Sequence, residues 1–149
     1  MLLSSFCTVE VATCLRATTV NEAARLMRER HVGDLVVVDD DGETRSPVGV
    51  ITDRDIVVEA LGKGLDTSRT RVEQLVRAPI VLAREDEDTT VALDRMRTNG
   101  VRRLPVVNAR GHLVGIVTAD DLIVGLAEAM HALTEVMKRE RGHETRHRR

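Results

Sequence analysis

Gly49-Val50-Ile51-Thr52-Asp53-Arg54-Asp55 returns later in the chain as Gly115-Ile116-Val117-Thr118-Ala119-Asp120-Asp121. The echo extends upstream. Each copy follows a short apolar run, Leu35 to Val38 and Leu104 to Val107, and each run follows an amphipathic stretch ending in a methionine, Met27 and Met96. Residues 11–61 and 80–126 therefore form a repeat, aligned without a gap from Val11 and Ile80 to Asp39 and Asn108. The first copy then carries three extra residues in its Asp40 to Pro47 loop. One copy is too small to bury a core of its own, so the two are expected to pack face to face. A cleft between two related halves is a natural place for a small ligand.

The local pattern predicts strand, helix, strand, strand, helix in each copy. Val11 to Leu15 reads as extended, and Thr18 and Thr19 offer helix caps. Val20, Ala23, Ala24 and Met27 stand at i, i+3, i+4 and i+7, one face of a helix that His31 and Gly33 end. Leu35 to Asp39 and Val48 to Thr52 read as strands, with Asp40-Asp41-Gly42 as a turn and Pro47 keeping the loop out of regular pairing. Asp53 opens a helix whose apolar face is Ile56, Val57, Ala60 and Leu61. Gly62 to Thr70 is a polar connector, followed by a short helix over Val72 to Val76. The second copy repeats the order, with a strand over Ile80 to Ala83, a helix bearing Thr89, Ala92, Leu93 and Met96 and stopped by Gly100, and strands at Leu104 to Val107 and Leu113 to Thr118. The last helix begins near Asp120, and its apolar side, from Leu122 through Met130 and Leu133 to Met137, outlasts the repeat. The fold class is α/β (α+β). The expected divisions are 9–66, 67–137 and a basic, frayed tail over 138–149.

Composition narrows the function. The 149 residues carry a net charge of −2, yet Lys138 to Arg149 holds six Lys or Arg and two Glu, so the body is acidic. No stretch is long and apolar enough to span a membrane, and Met1 to Val9 lacks the regions of a signal peptide, so a cytoplasmic location is expected. Two cysteines, Cys7 and Cys14, make no disulfide framework and are spaced wrongly for a metal knuckle. They read as small apolar residues. There is no Trp, no Tyr and one Phe, so the core is aliphatic and offers no aromatic platform for a nucleic-acid base. Charge alone is a weak argument for nucleic acid when the basic stretch is short and its body acidic. Gly62-Lys63-Gly64 lacks the spacing of a Walker loop and reads as a helix stop. His31, His112 and His131 have no ligand-like spacing, and His143 and His147, at i and i+4, read as part of a solvated tail. No nucleophile stands with a base and an orienting partner. Neither catalysis, a bound metal nor a cofactor is expected.

The two Gly-φ-φ-Thr-x-x-Asp motifs (φ, apolar), with their flanks His31 to Asp39 and Gly100 to Asn108, resemble a tandem pair of CBS domains, the Bateman module. The resemblance covers about residues 9–126. It departs from the family at the start, where Met1 to Thr8 replaces the usual short helix. It implies two repeats about a pseudo-twofold axis, and adenosine-containing ligands (AMP, ADP, ATP or S-adenosylmethionine) in the clefts between them. It also implies a stand-alone regulatory role, and a homodimer formed through the terminal helices. The alternative is a ligand-free structural module that acts only by dimerising.

The site chemistry follows from the motifs. A carboxylate can accept from both hydroxyls of a ribose, and a nearby Thr hydroxyl and helix N-terminus suit sugar and phosphate. Thr52 with Asp55, and Thr118 with Asp121, supply these groups at strand-to-helix junctions. The same residues also read as capping boxes, which a duplicated fold duplicates. Arg102 and Arg103 stand where the family often places phosphate contacts, and guanidinium suits phosphate. They read equally as a solvated pair bridging acidic neighbours such as Asp120. Arg54 is a further phosphate candidate whose plainer reading is surface solvation. Gly33 and Asp34 occupy the places of Arg102 and Arg103 in the first copy, so the two clefts are expected to be unequal.

Overall fold

Thr19 sets where the first helix begins. Its hydroxyl accepts the Glu22 N–H at 3.2 Å while Glu22 Oε2 accepts the Thr19 N–H at 2.9 Å, satisfying two orphan donors at once. From that cap α1 (Val20–Arg30) runs to His31, which turns into the left-handed region at φ 54° and stops the helix. The computed structural model describes residues 1–147, with side chains through residue 142.

α1 carries the chain from β1 (Thr13–Leu15) over to β2 (Asp34–Asp40), which pairs parallel with β1. A hairpin then returns as β3 (Arg45–Thr52), antiparallel to β2. α2 (Asp53–Asp55) continues directly into a π-helical stretch (Ile56–Leu61). The second repeat builds the same unit: β4 (Ala83–Arg84), α3 (Thr89–Asn99), β5 (Arg103–Val107), β6 (Leu113–Thr118) and α4 (Ala119–His147). The two sheets have the orders β1-β2-β3 and β4-β5-β6, and each bulges at the same place, between Val37 and Val38 and between Val106 and Val107. The predicted βαββα unit is therefore present twice.

Four details correct the sequence-based picture. Pro47 lies inside β3 opposite Val38, where a bulge on an edge strand accommodates a residue without an N–H. The strand expected over 80–83 contracts to β4, and Ile80 to Leu82 lie outside the sheet. The opening does hold a helical turn, a 3-10 helix at Leu3–Phe6, matched before the second repeat by a 3-10 helix at Val72–Gln74. The stretch expected to fray from Lys138 continues α4 as far as His147; Arg148 and Arg149, and the side chains of His143 and His147, lie outside the described residues. Among the described residues no helix is long and apolar enough to cross a membrane.

The cores do not follow the order of the chain. Leu3, fully buried, packs with Ala92, Leu104, Val117 and Leu122 of the second repeat. Val72, equally buried, packs with Ala23, Met27, Leu35 and Ile51 of the first. Each opening turn is thus housed by the other repeat. Burying one such side chain stabilises by about 1.5–3 kcal/mol. A third cluster, Val36, Val38 and Leu113 with Val11 and Ile116 against them, joins the two sheets.

Candidate functional site

Strand register positions the site. In the first sheet Asp34, at the start of β2, pairs with Thr52, at the end of β3; in the second, Arg103 pairs with Thr118. The helix following each threonine begins at that edge. Thr52 N–H donates to Asp55 Oδ2 at 2.9 Å and Asp55 N–H donates to Thr52 Oγ1 at 3.1 Å. Thr118 and Asp121 repeat this at 2.9 and 3.1 Å, and there the Thr118 hydroxyl also donates to Asp121 Oδ2 at 2.8 Å. Both pairs are caps. Among the described residues, the Thr52 hydroxyl hydrogen and Asp55 Oδ1 are spent on no such bond.

A cavity of about 430 Å³ opens at Thr52. Thr52, Asp53, Arg54 and Asp55 line it from the first repeat, and Gly100, Val101, Arg102 and Arg103 from the second. Leu75, Arg77 and the Pro79-Ile80-Val81 segment close the remaining wall. Five of the seven residues singled out from the sequence therefore meet in one space, across the repeat boundary. Thr118 and Asp121 lie at the other junction.

Sequence reasoning missed three contributors. Arg77 lines the cavity but has no counterpart in the motif echo, so nothing in the pattern marked it. Val81 matters through its backbone. In the first repeat Val36 N–H donates to Ala12 O at 3.0 Å. The matching donor in the second repeat falls at Pro105, which has no N–H. The Val81 carbonyl is left without that partner, and Val81 is one of the residues lining the cavity. Reading Pro105 against Val36 in the gapless alignment was the signal available. The third is Asp34. Its Oδ1 forms an ion pair with Arg103 Nη1 at 2.9 Å, with the two side chains 20% and 32% exposed. Arg102 instead reaches Asp120 at 3.0 Å on an exposed surface, as the plainer reading of that residue expected. Arg54 and Arg77 form no ion pair among the described residues.

The Thr118 side differs in its backbone pairing. Thr8 exchanges both backbone hydrogen bonds with Ile116, at 2.9 and 3.0 Å. Gly115 lies under this segment, where a Cβ would stand 3.0 Å from Thr8 O and 3.1 Å from Cys7 Cβ. Cys7 is close enough to Asp121 for that charge to raise its thiol pKa, though burial contributes more. The residue matching Ala12 is Val81, yet Ala12 O is already bonded. The duplicated fold thus offers an open cleft at Thr52 and a laced one at Thr118.

Comparison with known proteins agrees with this architecture. The CBS domain family matches twice, over residues 3–62 and 72–128. An uncharacterized protein of Methanopyrus kandleri is 32% identical over 130 residues, which is 87% of this chain but 65% of that protein. Hypoxic response protein 1 of Mycobacterium tuberculosis is 36% identical over 120 residues, 80% of each chain. Inosine-5'-monophosphate dehydrogenase of the same species is 35% identical over 111 residues, only 20% of its length. Among solved structures, a CBS domain protein of Pyrobaculum aerophilum complexed with AMP superposes with a TM-score of 0.73 at 27% identity, covering 82% of this chain and 90% of that one. The CBS domain pair of protein MJ0100, in complex with 5'-methylthioadenosine and S-adenosyl-L-methionine, gives 0.74 at 25% identity, covering 87% and 98%. Two family matches spanning most of the sequence, on two βαββα units that exchange their opening turns, establish that this chain belongs to the CBS domain family as a tandem pair.

Proposed function

We propose that this protein is a regulatory sensor that binds an adenosine-containing ligand, AMP, ADP, ATP or S-adenosylmethionine, in the cleft at Thr52. One observation carries the proposal: a single cavity gathers the Thr52–Asp55 pair, the arginines 54, 77, 102 and 103, and Val81, whose carbonyl has no hydrogen-bond partner among the described residues. Asp55 keeps Oδ1 for the ribose hydroxyls while Oδ2 caps the helix. The Thr52 hydroxyl has a hydrogen to donate. The Val81 carbonyl suits the exocyclic amine of adenine, and the arginines suit phosphate. Relatives solved with AMP, and with 5'-methylthioadenosine and S-adenosyl-L-methionine, support the ligand class. The laced Thr118 side supports one occupied cleft per chain, with Thr118 and Asp121 acting mainly as a cap.

No catalytic step is assigned. The shared stretch is a fifth of the dehydrogenase's length. The ligand-free scaffold remains the second reading because α4 leaves Ile123, Met130 and Leu133 exposed, a face suited to a second copy. Without Trp or Tyr the protein hardly absorbs at 280 nm, so a nucleotide retained through purification shows at 260 nm and mass spectrometry names it. Titration calorimetry of ligand-stripped protein with adenosine, AMP, ATP and S-adenosylmethionine completes the test. Absence of binding by all four at millimolar concentration would leave the scaffold.

A further inference from the structure

Arg103 is the cavity arginine with the most sheltered partner. Asp34 comes from the opposite repeat, at the position equivalent to Arg103 itself, and is the more buried member of the pair. Arg102 is tied to a solvated carboxylate, where screening weakens the pair, and Arg54 and Arg77 form no ion pair among the described residues. A phosphate entering this cleft thus finds Arg54 and Arg77 outside any close ion pair among the described residues, Arg102 easily released, and Arg103 held by a half-buried negative charge. Asp53 adds a second carboxylate nearby: a Cβ built on Gly33, next to Asp34, would lie 3.2 Å from Asp53 Oδ2.

We propose that Asp34 is a specificity-determining residue that competes with the ligand's phosphate for Arg103 and biases the cleft against polyanionic ligands. The inference rests on the nucleotide reading above and says which members of that class are preferred. Each phosphate oxygen that approaches Arg103 must displace the Asp34 carboxylate or accept its repulsion. A ligand with no phosphate, or with a cationic centre, meets neither cost. Asp34 therefore sets an order in which adenosine and S-adenosylmethionine are not penalised, AMP is penalised, and ATP is penalised most.

Asp34→Asn keeps shape and removes the charge. Titration calorimetry with adenosine, AMP and ATP is expected to show AMP tightening about tenfold, the size of a 1.4 kcal/mol change, with ATP gaining more and adenosine unchanged within about twofold. The same substitution in an Arg103→Gln background is expected to gain much less, because the freed arginine is absent. Thermal melting runs alongside, and Asp34→Ser replaces the asparagine variant if that one does not fold. Equal changes for adenosine and AMP, or a lower melting temperature with unchanged AMP affinity, would make the pair a staple between repeats and overturn the inference alone. A gain for AMP that persists in the Arg103→Gln background would also overturn it. Failure of wild type and variants to bind any of the ligands would overturn the nucleotide reading together with it.

Discussion

Asp55 and Thr52 satisfy one another through reciprocal bonds of 2.9 and 3.1 Å, and only one of the two Asp55 carboxylate oxygens takes part. The residue is a cap with an oxygen to spare. Stability and binding are thereby joined in a single side chain, and they can be separated by experiment.

Asp55→Asn is expected to weaken adenosine binding about ten- to a hundredfold, since loss of one charge-assisted bond costs roughly 1.5–3 kcal/mol. It also lowers the melting temperature, because Asn complements the helix dipole less well. Asp121→Asn is expected to lower melting similarly with a much smaller effect on binding, as its threonine hydroxyl is already committed. Calorimetry beside thermal melting reads both. A pair of mutants that melt lower but bind as wild type does would reduce Asp55 to a cap.

Replacing Arg102 and Arg103 together by Ala is expected to weaken AMP more than adenosine, which has no phosphate to lose. The salt dependence of AMP binding flattens at the same time, because screened contacts have been removed. Titrations at two ionic strengths measure this. Equal losses for the two ligands would show that these arginines shape the cleft without selecting phosphate.

On α4, Ile123, Leu126, Met130, Leu133 and Met137 alternate at spacings of three and four, and all are exposed in the single chain. That spacing is the seam of a helix pair. Light scattering is expected to find a homodimer at micromolar concentration. Met130→Asp with Leu133→Asp should convert it to monomer without unfolding the repeats. A wild-type monomer, or a dimer indifferent to both charges, would remove α4 from the interface.

The thiols should be inert in the folded protein. Burial pushes the Cys14 thiol up to about 11. Burial, then Asp121 and Glu85, raise that of Cys7. Raised values keep both protonated at pH 8, so labelling with a thiol reagent is expected to be slow there and to keep climbing past pH 9. Unfolding in urea should release both at the rate of a free thiol. Rapid labelling of Cys14 at pH 8 in buffer would contradict its burial.

Much of this was legible in the sequence because duplication writes each rule twice. The Thr–x–x–Asp junctions, the order strand, helix, strand, strand, helix, and the apolar strands all show in the repeated pattern. What stayed hidden depends on contacts between copies. Nothing in the local pattern marks Arg77, because its matching residue, Thr8, plays a different part by pairing with Ile116. Asp34 looked like a missing positive charge; only the fold shows that it meets Arg103 across the repeats. Pro105 at the place of Val36 marks the donor lost opposite the Val81 carbonyl, but only the fold brings Val81 to the cavity. Pro47 reads as a loop residue in the local pattern, but the bulge on the edge strand β3 gives it a place in the sheet.

The exchange of Leu3 and Val72 between the two cores has a further meaning. A lone repeat with its own opening turn has no place to bury it except on a second copy. The tandem chain is thus equivalent to a domain-swapped dimer whose protomers have been joined by a peptide connection. The connector across residues 62–71 raises the effective concentration of one half for the other, and its Thr67 and Thr70 carbonyls also accept the Asn21 and Val20 N–H groups at 3.0 and 2.9 Å. Cutting it should leave the halves associated, whereas making either half alone strands an apolar turn in water and leaves a hole where its neighbour's turn belongs.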